Sequence, residues 1–110
     1  MITGKKLSDV LSTHPLNYEI VYRIHATKRM FQRSISEEDA EEVLCNGHII
    51  EDYPDDYPFP SVLMNGLTKT GKYIHCVAGI DYANRRIYII TLYDPDADKW
   101  LDTFSKRKHT

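Results

Sequence analysis

No apolar run in this 110-residue chain approaches the roughly 18 to 20 residues that a membrane helix needs. Cysteine is scarce: Cys45 and Cys76 lie far apart and form no CxxC pattern, and a cytoplasmic chain keeps such thiols reduced. The histidines (His14, His25, His48, His75, His109) fall in no HExxH or paired Cys/His spacing, which argues against a structural zinc site. A P-loop, a dinucleotide fingerprint and a GxSxG elbow are all missing. No cofactor is indicated, and no opposed carboxylate pair of the glycosidase kind stands out. The N-terminal MITGKKLSDV is polar and lacks the apolar core of a signal peptide, so the expected location is cytoplasmic.

What is present is the composition of a folded domain. Hydrophobic residues make up 42% and charged residues 27%, values that exclude global disorder. The length fits one domain over residues 1–110 with one modest core. Net charge is only −2, but it is unevenly placed. From Arg23 to Arg33 the chain carries Arg23, Lys28, Arg29 and Arg33 with no acid, whereas Glu37 to Asp56 holds nine acids and no Lys or Arg. The two blocks either form a bipolar surface or face each other and neutralise.

Periodicity places helices first and strands after. KKLSDVL (5–11) reads as a short helix stopped before His14-Pro15. YEIVYRI (18–24) alternates and reads as a short strand, with a helix from Tyr18 as the competing reading. A helix is expected from about Ala26 to Arg33, with Ala26 and Met30 as its core pair. Ser36 as N-cap, Asp39 at the capping-box position and Gly47 as C′ residue delimit a second helix over 37–45. Ile35 is placed to staple onto Ala40. Strands follow at HIIEDY, Ser61–Leu67, Lys72–Ile80 and Arg86–Tyr93, with PDDYPFP as a loop and TKTG as a turn using Gly71 at positive φ. Ile74, Cys76, Ala78 and Ile80 form a buried strand face. Ile87 and Ile89 against Tyr88, Ile90 and Leu92 mark 86–93 as apolar on both faces, hence central. Asp96 to Leu101 is expected to close with a helical turn packing Trp100. The fold class is α+β, with N-terminal helices on a mostly antiparallel four- to five-stranded sheet.

Within HATKRMFQRSIS, His25, Arg29 and Arg33 recur every fourth residue and share one helical stripe beside the core pair. A solvated face is the ordinary explanation for such a stripe. Guanidinium groups one turn apart also bind phosphate oxygens. His75 projects from the face opposite Ile74 and Cys76, and Thr91 and Tyr93 share a face of the next strand. Pairing about Ala83 would set His75 opposite Thr91 with Tyr93 diagonal. These residue types suit RNA cleavage without metal. His serves as acid or base near neutral pH, Arg stabilises the phosphate, and Tyr or Thr orients the nucleophile. The SKRKHT tail is basic, solubilising or a nonspecific phosphate contact.

HATKRMFQRSIS, NGHIIEDYPDDYPFPS, GKYIHCVAGID and ITLYDPDADKW together resemble the bacterial family catalogued as domain of unknown function 4258, over roughly residues 18–104. That family is regarded as similar to RelE-like and barnase/EndoU/colicin-type ribonuclease toxins. The resemblance implies a RelE-like fold, a zinc-finger antitoxin as partner, RNA as substrate, and His25, Arg29, Arg33, His75, Thr91 and Tyr93 as site residues. A toxin-type endoribonuclease is therefore expected. The alternative is a non-catalytic protein-binding module of the same fold, using the segment Tyr53 to Phe59.

Overall fold

The computed structural model describes residues 18–95 together with the backbone pairs 100–101 and 106–107. The expected 5–11 helix lies outside the described residues.

Local signals explain the helices. A first strand, β1 (Glu19–Tyr22), leads into helix α1 (Ile24–Arg33), which buries Ala26 and Met30. Ser34 ends α1 in the left-handed region at φ 55°. Helix α2 (Glu37–Asn46) opens with the reciprocal capping box: Asp39 N–H donates to Ser36 Oγ and Ser36 N–H to Asp39 Oδ2, both at 3.0 Å. Glu37, Glu38 and Asp39 fill its first turn, where the helix dipole favours negative charge. Ile35 and Ala40 join the same core cluster.

Gly47 departs from its expected role. Its backbone is extended (φ −79°, ψ −175°) rather than left-handed. The reason for glycine is space: a Cβ there would collide with Val43 O and sit 2.6 Å from Asn65 O. A Cβ on Gly66 would likewise lie 2.9 Å from Val43 Cα. Both glycines let α2 approach the sheet backbone closely.

Strands β2 (His48–Tyr53), β3 (Ser61–Leu67), β4 (Tyr73–Asp81) and β5 (Arg86–Tyr93) form an antiparallel meander. The strand β1 adds in parallel to β5, giving the order β1-β5-β4-β3-β2. The result is an α+β domain of two helices on a five-stranded, mostly antiparallel sheet. Gly71 takes the expected positive φ in the turn before β4. Ile74, Cys76, Ala78 and Ile80 meet the helices together with Val62, Met64, Ile87, Ile89 and Leu92.

The strand β5 is interior, as its apolar pattern predicts, but its register corrects two expectations. The ladder runs from Asp81↔Arg86 to Ala78↔Ile89, then slips and resumes at Val77↔Thr91, Cys76↔Leu92 and His75↔Tyr93. Ile90 is the extra residue of a bulge, and it is 37% exposed. One inserted residue reverses the alternation beyond it. Leu92 therefore joins Ile87 and Ile89 on the core face, and His75 stands opposite Tyr93 rather than Thr91. A further difference lies at Trp100–Leu101 (β6), which pairs with Lys106–Arg107 (β7) as strand where a helical turn was expected. Residues 96–99 lie outside the described set.

Candidate functional site

The helix α1 carries three longitudinal strips. At about 100° per residue, Ala26 and Met30 face the core. His25, Arg29 and Arg33 run beside them, and Ile24, Lys28 and Phe31 face outward. Arg29 is half-buried, while His25 and Arg33 are exposed. Among the described residues the ion pairs are Lys72–Asp94 at 3.8 Å and Arg86–Glu19 at 3.2 Å, so no acid of α2 pairs with the stripe. The acids of α2 have other roles. Asp39 caps the helix, and Glu42 Oε2 accepts from Lys69 N–H at 3.1 Å. Glu37 and Glu41 lie close enough to Tyr22 to add to the effect of burial, which itself drives that phenol well above its ordinary pKa.

The second group sits on the sheet face away from the helices. His75 is fully enclosed at 0% exposure. Its Nδ1 is 3.4 Å from Tyr93 Oη, and the rings meet edge-on at 5.4 Å. Thr91 is half-buried two residues back along β5, opposite Val77. Sequence reasoning missed that this pair belongs to a polar row. Cross-strand register sets His48 beside Asn65, Asn65 beside His75 and His75 beside Tyr93, with Asn65 only 1% exposed. Strand alternation in SVLMNGL was the available signal, since Asn65 interrupts an apolar run.

Lys72 relates the two groups, and nothing in its sequence context pointed to it. Its Nζ donates to the Arg33 carbonyl at 3.1 Å and lies 3.8 Å from Asp94, the residue after Tyr93. The last turn of α1 is thereby tied to the end of β5, and α1 packs against β5 along its length. A cation on the terminal carbonyl also suits the helix dipole. At the other end of α1, the Arg23 guanidinium lies 4.6 Å over the Tyr88 ring, which stacks on Phe59 at 5.3 Å and 7°. The proline-rich loop is thus pinned to β5 through Phe59, while Tyr57 stays 91% exposed. A depression of about 520 Å³ lined by Tyr53, Pro54, Asp55 and Asp56 involves none of the six expected site residues.

No cluster of His, Cys, Asp or Glu among the described residues is arranged to hold a metal ion. No described helix is long and apolar enough to cross a membrane. Burial alone pushes the Cys76 thiol up to about 12, and burial followed by Glu41 raises Cys45. Neither thiol is therefore an activated nucleophile.

No curated protein and no solved structure matches the chain. Residues 22–94, a span that takes in α1, α2, the whole meander and Asp94, match the family described as Domain of unknown function (DUF4258). With two thirds of its length inside that match, the chain belongs to the DUF4258 family.

Proposed function

We propose that the protein is a cytoplasmic, toxin-type endoribonuclease of RelE-like kind that cleaves RNA by metal-independent acid–base chemistry, with a zinc-finger antitoxin as its partner. The observation that carries this reading is the acid-free His25/Arg29/Arg33 stripe, which no acid of α2 neutralises. The exposed His25 takes the 2′-OH proton, and the freed oxygen attacks the phosphorus. Arg29 and Arg33 stabilise the charge gathered on the phosphate. A water molecule gives its proton to the departing 5′-oxygen, leaving a 2′,3′-cyclic phosphate. Because His75 is enclosed, its part is positioning: with Tyr93 and Thr91 it fixes the β4–β5 rungs on the sheet face away from the stripe.

The test is incubation of purified protein with single-stranded and ribosome-bound RNA, with and without EDTA. Cleavage that survives chelation and yields cyclic phosphate ends is expected. Absence of cleavage of any RNA, with or without ribosomes, overturns the reading.

A second reading, a non-catalytic protein-binding module, draws on Tyr57, 91% exposed within an acidic, proline-rich loop. Co-purification with the product of the neighbouring gene, lost on Tyr57→Ala, favours it when cleavage is absent.

A further inference from the structure

The outward strip of α1 has no role in the fold. Phe31 is 89% exposed and Ile24 76% exposed, two helical turns apart on one face, with Lys28 between them. An isolated exposed apolar side chain is ordinary, so the setting decides. Phe31 has Lys28 three residues before it on the same face, on a segment without an acid from Arg23 to Arg33. Lys28 is exposed and enters no ion pair among the described residues.

A protein interface calls for a contiguous apolar core with charge held to its rim. Here a lysine divides the two apolar side chains, so a cation lies within the patch itself. An unscreened aromatic ring in a field of one positive sign matches the requirement of a single-stranded nucleic acid, whose bases stack on aromatic faces while cations follow the phosphates. Duplex RNA hides its base faces and cannot use the ring.

We propose that the outer face of α1 is a binding subsite for single-stranded RNA, in which an unpaired base stacks on Phe31 and Lys28 contacts the adjoining phosphate. The subsite rests on the ribonuclease reading and specifies its substrate as single-stranded. On α1 the His25/Arg29/Arg33 stripe lies between Lys28 and the core strip, so a strand that leads from Phe31 across Lys28 reaches the stripe.

The experiment measures binding of a fluorescent single-stranded oligoribonucleotide and of its duplex, separately from cleavage. Wild-type protein is expected to prefer the single strand. Phe31→Ala should weaken that binding about tenfold or more, a loss of about 1.4 kcal/mol, with an unchanged melting temperature. Phe31→Trp should restore it, and Phe31→Leu should not, because leucine has no π face. Single-strand binding by wild type that Phe31→Ala leaves intact overturns the subsite and spares the ribonuclease reading. Failure of wild type to bind or cleave any RNA removes both. Rescue by leucine as complete as by tryptophan, or a dimer in sedimentation that Phe31→Ala dissolves, identifies a protein contact instead and overturns the proposal.

Discussion

The Tyr93 hydroxyl lies 3.4 Å from Nδ1 of His75, across the rung where β4 and β5 pair these two residues directly. The histidine is enclosed and the tyrosine half-buried, so the tyrosine is the more exposed member of the pair. Tyr93→Phe removes one hydroxyl and leaves the edge-on ring contact. Its expected stability cost is about 1 kcal/mol, that of one hydrogen bond. Its cleavage is expected to stay within a few-fold of wild type, because the pair lies across the sheet from the stripe. Denaturant unfolding and single-turnover cleavage on the same preparation separate the two effects.

Arg33 tests the stripe. It is exposed and lies outside the ion pairs of the described residues. Arg33→Ala should therefore change stability by no more than about 0.5 kcal/mol while reducing cleavage roughly a hundredfold. A stability loss well beyond that value would mark the stripe as structural.

Gly66 tests the seating of α2. A methyl group there meets the Val43 Cα, a backbone atom that moves only if the helix does. Gly66→Ala is expected to destabilise by about 1–3 kcal/mol, the range for overpacking, as read by thermal or denaturant unfolding.

The thiols should differ from free cysteine in a native-state alkylation experiment. Cys76, raised to about 12 by burial, stays protonated and should resist iodoacetamide at neutral pH until the protein unfolds. Cys45, half-buried and raised by burial and then Glu41, should react more slowly than an exposed thiol. Rapid native modification of Cys76 would contradict its place in the core.

Asp81 gives a pH prediction. The side-chain amide of Asn84 donates to its Oδ2 at 2.8 Å, and the Asn84 backbone N–H to its Oδ1 at 3.1 Å. These bonds, with the Asn84 side chain foremost, hold the carboxyl below its ordinary value against a smaller opposing effect of desolvation. A folded pKa below the unfolded one stabilises the fold above the ordinary aspartate range of about 3.9. That contribution is lost as pH falls through the depressed folded value. Asp81→Asn should therefore flatten the acid limb of the stability profile, measured by unfolding across the acidic range.

Much of the architecture was legible because its causes are local. Ser36 and Asp39 announce α2, and its observed end at Asn46 lies one residue past the expected one. Strand alternation identified β2 to β5 and the buried face of β4. The bulge at Ile90 was not legible, because register is decided by two strands together and by what each must bury. That single residue moved Leu92 to the core and exchanged Thr91 for Tyr93 opposite His75. Of the site, His75, Thr91 and Tyr93 were readable as neighbours on one face, with Thr91 expected opposite His75. Lys72 was not, since its value lies in reaching a carbonyl 39 positions away in sequence. The enclosure of His75 was equally out of reach, because exposure depends on everything packed around a residue. That enclosure changes its proposed part from reacting group to positioning group.

The parallel rung between Glu19 and Arg86 joins positions 67 apart in sequence. During synthesis the ribosome delivers β1, both helices and three strands before the strand that must slide between β1 and β4 exists. Closing so long a loop comes late, because its entropy is lost before its contacts form. A nascent chain ending before Arg86 thus holds the cationic stripe without Thr91, Tyr93 or the strand that supports them. In such a chain the order of synthesis, rather than any inhibitor, keeps α1 from seating on its supporting strand.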